Sequence, residues 1–214
     1  MFPLLLDSLE ETLFMMLSAG LLTFLLGLPI GILMAATRPK GMHPSPMLYK
    51  AINFTIELAC SIPYLILMIA LIPLMRHLLG PDKGALVTIL SLSLAATPFF
   101  VQTTTKALLR VPRALIEMGI SMGGKPLQIL VKILLPEALP LIMQGFLRTL
   151  THLLGFSVIA GALGAGGLGK LAIERGYYQF DLNYVVGITV VLILMLQAIQ
   201  FCMRFFITED IHGH

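Results

Sequence analysis

The sequence has few charged residues, few cysteines and no tryptophan. Only 12% of its 214 residues are Asp, Glu, Lys or Arg, while 57% are hydrophobic. A typical soluble domain has about 25% charged residues, so this composition excludes an ordinary soluble protein and favours an integral membrane protein. The two cysteines, Cys60 and Cys202, both lie in apolar stretches. We therefore expect neither a disulfide framework nor a thiolate metal site.

Long stretches with little or no charge predict an all-α integral membrane protein. A membrane-spanning helix needs about 20 apolar residues. The expected fold is a single transmembrane domain, 1–214, with five spans at about 12–37, 58–75, 84–105, 138–163 and 182–203. Arg148 interrupts the fourth stretch, which runs on to Gly169. The first stretch does not resemble a cleaved signal peptide, because acidic residues and no basic ones precede it.

The distribution of Lys and Arg predicts the orientation of the chain. With five spans, nine basic residues fall on one side, namely Arg38, Lys40, Lys50, Lys106, Arg110, Arg113, Lys125, Lys132 and Arg204. Four fall on the other side, namely Arg76, Lys83, Lys170 and Arg175. Since basic loops stay in the cytoplasm, we expect the N-terminus outside and the C-terminus inside. The same pattern explains the pI near 9.0 without nucleic-acid binding. The short tail after the last span, 208–214, predicts no added regulatory domain on this chain.

A glycine-rich stretch at the outer end of the fourth span nearly matches a nucleotide-binding loop. Residues 164–171 read GAGGLGKL, but an apolar span precedes them, and Leu171 stands where a phosphate-binding loop has Ser or Thr. Small residues also allow close helix packing within a membrane. We therefore interpret Gly164, Gly166 and Gly167 as parts of a packed helix end or a gate.

The loop between the third and fourth spans predicts two short helices, at about 112–136. Pro112 and Pro126 are suited to the first turns of helices, and Gly123 with Gly124 separates them. A DNA-reading helix-turn-helix is disfavoured, because membrane spans hold both ends and the second helix is strongly apolar. An amphipathic hairpin at the membrane surface and a docking surface for a cytoplasmic partner both remain open.

The same loop resembles a family pattern. Membrane subunits of ATP-binding cassette importers carry E-A-A-x-x-x-G, nine further residues, then I-x-L-P. This chain has Glu117, Met118, Gly119 and Gly123, followed at that spacing by Ile133, Leu135 and Pro136. Further matches occur in the family's order, namely GLPIG before TRP (27–39), SIPY (61–64), ILLPEALP (133–140) and GAGGLG before RGY (164–177). Together they look like the membrane subunit of bacterial methionine importers.

The resemblance implies a permease that is not itself an enzyme. Its partners would be a second copy of the chain, a cytoplasmic ATPase dimer and an external substrate-binding lipoprotein. The complex would import L- or D-methionine, or a related amino acid, across the bacterial inner membrane. ATP and magnesium would bind to the ATPase, and this chain would bind no cofactor or metal. The ATPase-coupling residues would be Glu117, Gly119, Gly123, Ile133, Leu135 and Pro136.

Polar and bend-forming residues within spans are candidates for the translocation pathway. Ionisable groups in a membrane are costly and usually face the protein interior, and Glu57, Arg148 and His152 qualify by position. Arg148 and His152 are four residues apart and share a helix face. Snorkelling of Glu57 and Arg148 to the cytoplasmic interface is the alternative. Ser61 and Pro63 predict a bend that takes part in gating. Cys60 stands where the family commonly has Arg.

Other function classes fit less well. A permease for another small polar solute is the nearest alternative. An intramembrane enzyme would need paired Asp residues, an H-E-x-x-H helix or an aligned Ser and base, and the predicted spans contain none of these. A passive channel or membrane anchor does not require the cytoplasmic helix pair.

Overall fold

The computed structural model describes residues 2–39, 41–80 and 84–211, with side chains as far as Arg204. Lys40 and Lys83, both counted in the charge distribution, lie outside the described residues, as does the end of the predicted tail, 212–214.

Helices account for nearly all of the described chain. The α-helices are α1 (Phe2–Thr37), α2 (Pro46–Ser61), α3 (Tyr64–Leu79), α4 (Gly84–Arg110), α5 (Arg113–Ser121), α6 (Pro126–Ile129), α7 (Leu135–Ala160), α8 (Gly167–Leu171) and α9 (Leu182–Ile211). Single π-helical turns cover Leu130–Leu134, Gly161–Ala165 and Ala172–Tyr177. The all-helical fold predicted from the composition is confirmed.

Four helical segments are long and apolar enough to cross a membrane. They are α1, α4, the segment Pro126–Ala165 that contains α6 and α7, and the Leu182–Arg204 part of α9. Helices α2 and α3 satisfy the same test only as a pair, and they meet at an angle of 104°. By length and composition, the described chain therefore has four candidate spans, or five if the bent pair counts as one.

The predicted second span, 58–75, does not form one helix. Helix α2 ends at Ser61, Ile62 is extended with φ −77° and ψ 125°, and α3 begins after Pro63. Proline lacks an N–H and pushes the preceding residue out of the helical region, so the break falls where the sequence places Ile62 before Pro63. The bend interpretation of Ser61 and Pro63 agrees with this geometry.

The second of the two short loop helices is not a separate element. Helix α6 continues through the π-helical turn Leu130–Leu134 into α7, so that one helical run extends over residues 126–163 and ends where Gly164 takes a left-handed backbone conformation. No helix breaker occurs between Pro126 and Pro136. Pro136 has no N–H to donate, and the π-helical turn directly before it accommodates the gap in the backbone ladder.

Helix α4 forms the centre of the fold, and α1 packs along it through small residues. A Cβ atom at Gly27 would lie 2.7 Å from the Phe100 ring, and one at Gly31 would lie 2.7 Å from Thr104. Small residues of this kind bring membrane helices close together. In contrast, α9 lies at the periphery, since 6% of its apolar window is buried compared with 67% for α4.

Candidate functional site

The helix α5 and the turn after it form a compact hairpin with the start of α6. The N–H of Gly123 donates to the Ile120 carbonyl at 2.9 Å, and the N–H of Gly124 donates to the Gly119 carbonyl at 3.0 Å. Gly123 has φ +76°, in the left-handed region that favours glycine. The predicted glycine turn between the two helical segments is therefore present in the structure.

Gly119 lies where α5 contacts the next helical segment. It is buried, and a Cβ atom there would lie 2.7 Å from Cδ1 of Ile133 and 3.3 Å from Cγ1 of Ile129. Only a very small residue permits this approach. Gly119 and Ile133, both predicted as coupling residues, thus form one contact that holds α5 against the start of the long helical run.

Glu117 lies on the exposed surface of α5 and lines a cavity beneath the spans. The cavity has a volume of about 290 Å³. Its charged lining residues are Arg38, Arg113 and Glu117, and its walls are apolar side chains of α1, α4 and α5. A carboxylate beside two guanidinium groups at an open surface is suited to contact a charged partner.

The remaining coupling candidates differ in burial. Leu135 is half-buried and packs against the core cluster that contains Ala107 and Leu108, whereas Pro136 is exposed. Leu134, which was not among the predicted sites, is buried in that cluster. The i, i+4 spacing of Leu130, Leu134 and Ala138 is the sequence signal that identifies this buried stripe.

Ser61 and Glu57 lie in the last turns of α2, directly before the bend to α3. The Ser61 hydroxyl donates to the Glu57 carbonyl at 2.7 Å, so it supplies a partner in the last turn of α2, where carbonyls lose their helical donors. The Glu57 carboxylate accepts a hydrogen bond from the Asn53 amide at 2.7 Å. Both Glu57 and Ser61 are exposed in the single chain.

Arg148 and His152 share one face of α7, as their spacing predicts, and they line the same cavity. This cavity, about 340 Å³, is completed by Thr151 and by Gln200, Met203 and Arg204 of α9. Arg148 also lines a smaller cavity of about 90 Å³ with Lys106 and Arg110 of α4. Neither cavity is lined by Glu57. The structure therefore groups Arg148 and His152 with basic residues and separates them from Glu57.

The glycine-rich stretch forms a turn that α1 holds in place. Gly164, Gly166 and Gly167 have φ values of +93°, +101° and +69°. The Gly167 N–H donates to a Glu11 carboxylate oxygen at 2.7 Å, and the Leu168 N–H donates to the Thr12 hydroxyl at 2.9 Å. The preceding element is the helix α7 with its π-helical turn, unlike the strand that precedes a phosphate-binding loop.

Thr12→Val is expected to loosen this turn. The Thr12 hydroxyl is buried and is the acceptor for the buried Leu168 N–H, so an isosteric valine leaves that N–H unpaired. Such a loss costs about 1–3 kcal/mol. We expect a lower thermal unfolding midpoint for the purified protein. Thr55→Val is the matched control, because the exposed Thr55 hydroxyl contacts only a carbonyl of its own helix. Equal midpoints for the two variants would contradict the expected role of Thr12.

Sequence reasoning missed a cluster of rings beside His152. The Tyr64 ring stacks on Phe156 with centroids 3.4 Å apart, and the His152 ring stacks on Phe99 at 5.6 Å. These contacts join residues from α3, α4 and α7 that are far apart in the sequence. No local pattern identifies them.

The described part of the chain contains no group of three or more His, Cys, Asp or Glu residues placed to hold a metal ion.

The apolar helices, the short helical hairpin and the charged cavities together fit a membrane transport subunit. Residues 27–208 match the family described as binding-protein-dependent transport system inner membrane component, and the chain belongs to this family. The resemblance predicted from the loop pattern is confirmed.

Several relatives of this family are similar to the chain over most of its length. The probable D-methionine transport system permease protein MetI of Vibrio cholerae serotype O1 is 39% identical over 92% of this chain and 88% of its own length. The D-methionine transport system permease protein MetI of Escherichia coli strain K12 is 37% identical over 74% of this chain and 73% of its own.

Solved structures give the same picture. A chain of the MetNI methionine ABC transporter in inward facing conformations, from the native CY5 crystal form, superposes with a TM-score of 0.93 at 36% identity and covers 97% of both chains. A chain of an amino acid ABC transporter with histidines has a TM-score of 0.81 at 16% identity, a likeness that concerns the fold alone.

Proposed function

We propose that this chain is the permease subunit of an ATP-driven importer for methionine, L- or D-, or a closely related amino acid. The similarity to D-methionine permeases along 92% of the chain and to the MetNI transporter structure supports the substrate class. The chain supplies the membrane pathway, and ATP with magnesium binds to a separate ATPase.

The observation that carries the coupling role is the packing of α5 on the long helical run. Gly119 meets Ile133 at the beginning of that run, and the run ends in the glycine-rich turn that Glu11 and Thr12 hold. A force applied to α5 is thus passed directly to a membrane span. We propose that six residues form the coupling surface for the ATPase, namely Glu117, Gly119, Gly123, Ile133, Leu135 and Pro136.

The proposed orientation follows the basic residues, with the N-terminus outside and the C-terminus in the cytoplasm. In this orientation α5 meets an ATPase dimer, and the glycine-rich turn faces an external substrate-binding lipoprotein. The complex lies in the bacterial inner membrane, as the family description implies. A second copy of the chain completes the pathway, since one subunit of this size encloses little volume.

The proposed pathway follows the face shared by α4 and α7. Arg148 lines the smaller cavity between α4 and α7 together with Lys106 and Arg110, and it also lines, with His152, the larger cavity between α7 and α9. Cationic groups there attract the carboxylate of an amino acid. Ser61 and Pro63 lie at the bend, and we propose that this bend and the turn at Gly164, Gly166 and Gly167 move when the pathway opens. Glu57 lies on the bend rather than in the cavities.

The test is uptake by the complete transporter. The assay uses vesicles that contain this chain, its ATPase and its binding protein. We expect them to accumulate labelled methionine only when ATP is present on the side of the membrane that carries the ATPase. An ATPase variant unable to hydrolyse ATP is the control. Methionine uptake that does not depend on ATP would favour a passive channel. Absence of methionine uptake together with ATP-driven uptake of a different solute would favour another substrate.

A further inference from the structure

Four rings from three helices meet beside the proposed pathway. Tyr64 of α3 stacks on Phe156 of α7 with an interplanar angle of 4°. Phe99 of α4 lies 5.6 Å from the ring of His152 and 6.1 Å from that of Phe156, measured between centroids. The rings of His152 and Phe156 are 6.2 Å apart. We call Tyr64, Phe99, His152 and Phe156 the aromatic cluster.

The aromatic cluster is held in a defined geometry. The Tyr64 hydroxyl donates to the Phe156 carbonyl at 3.2 Å, so the beginning of α3 is tied to α7 directly after the bend at Pro63. A stack and a hydrogen bond between the same two residues fix the position of both rings. The cluster is therefore assembled before any ligand arrives.

The rings of this cluster are not fully buried, although Tyr64 and Phe156 pack against the hydrophobic core. A separate set of rings, Phe24, Phe100 and Phe146, packs inside the bundle, and Phe100 is fully buried. In the aromatic cluster, by contrast, His152 is exposed and the other three rings are half-buried. Part of each ring is thus available to a molecule beside the chain.

Polar side chains lie around the cluster, whereas a surface that faces lipid is apolar. Gln102 and Thr103 of α4 lie within one turn of Phe99 and are half-buried, and Thr151 and Arg148 of α7 lie within one turn of His152. Polar and ionisable side chains within a membrane generally face protein or a water-filled path. His152 is the cluster residue that also lines the larger basic cavity, so the other three rings adjoin the proposed path through it.

The order of groups along this face matches an amino acid with an apolar side chain. The rings occupy one part of the face. Arg148 lies one helical turn before His152 on α7, and it lines the smaller cavity together with Lys106 and Arg110. A carboxylate at the basic end leaves the side chain of the substrate at the rings. Among apolar side chains, a thioether is favoured, because its sulfur makes attractive contacts with ring edges.

We propose that the aromatic cluster is the subsite for the thioether side chain of the transported amino acid and contributes to the choice of substrate within the membrane. This proposal rests on the importer function proposed above. It assigns to the permease a selectivity that adds to that of the external binding protein.

The test compares methionine with norleucine, in which a methylene replaces the sulfur. The measurement is ATP-driven uptake by the complete transporter with an unchanged binding protein. We expect Phe99→Leu to raise the KM for methionine roughly fivefold, with kcat nearly unchanged, and to raise the KM for norleucine much less. Phe54→Leu is the matched control, since the Phe54 side chain is 66% exposed on α2 and lies outside the cluster. An unchanged ratio of the two KM values in Phe99→Leu would overturn the proposal.

A second measurement needs no substitution. Wild-type transporter is irradiated during turnover with a methionine analogue that carries a diazirine in its side chain. We expect adducts on the α3, α4 and α7 peptides that contain the cluster, suppressed by excess methionine, whereas suppressible adducts confined to other helices would overturn the proposal. If the wild-type transporter imports no methionine at all, the proposed function fails; if it does, and the cluster neither reacts nor affects selectivity, only the subsite is wrong.

Discussion

Gly123→Val is expected to abolish ATP-driven uptake while the chain still inserts into the membrane. Gly123 has φ +76°, which costs a residue with a Cβ about 1–2 kcal/mol and a β-branched residue more. No atom lies within 4 Å of a Cβ built there, so the effect comes from the backbone and not from crowding. We expect valine to open the turn and displace α5 from Ile133. Uptake and ATP hydrolysis are measured together, and the ATPase is expected to run without transport.

Two controls separate the turn from a general sensitivity to larger residues. Gly123→Asn should keep most of the uptake, because asparagine tolerates the left-handed region. Gly84→Val places the same side chain at a glycine that also has no neighbour within 4 Å and has ordinary backbone angles. Normal coupled transport by Gly123→Val would show that the turn geometry is not needed.

Glu117→Lys is expected to lower uptake tenfold or more. The reason is that like charges brought together in an interface cost roughly several kcal/mol of binding free energy. Glu117 is exposed beside Arg38 and Arg113, and reversal of its charge makes this edge of α5 wholly basic. The proposed partner surface, which pairs with a carboxylate, would then be repelled. The measurements are uptake per ATP hydrolysed and the amount of ATPase that co-purifies with the chain.

The charge-reversal control lies at the other end of the molecule. Glu174 is an exposed acidic residue near the proposed outer side, with Lys170 at 3.8 Å. Glu174→Lys changes the net charge equally but does not touch the loop, so ATPase co-purification should stay normal. Glu117→Gln should fall between wild type and Glu117→Lys. An equal loss of ATPase co-purification in Glu117→Lys and Glu174→Lys would indicate an effect of net charge alone.

The loop was the part of the site that the sequence predicted best. Pro112, Gly123 and Pro126 act on the backbone nearby, and their effects are local enough to be placed from spacing alone. The continuation of α6 into α7 was missed because Pro136 suggests an end to the helix. The π-helical turn before it removes that conflict, and such turns leave no clear mark in a sequence.

The contacts that join distant parts of the chain could not be predicted in this way. Glu11 and Gly167 are 156 positions apart, and Tyr64 and Phe156 are 92 apart. The sequence around each of these residues contains no motif that indicates its partner. Helix packing alone brings the two members of each pair together. The break at Pro63 was foreseen as a bend, but its angle of 104° depends on how α2 and α3 pack against α4.

The continuous helical run over residues 126–163 has a mechanical consequence. At 1.5 Å per residue it is about 55 Å long, which exceeds the thickness of a hydrocarbon core. The run thus begins at the hairpin proposed to contact the ATPase, carries Arg148, His152 and Phe156, and ends at the glycine-rich turn on the proposed outer side. A rod that tilts about its middle moves its two ends in opposite directions. We therefore expect the inner and outer openings to alternate by geometry, without a separate device that keeps both from being open at once.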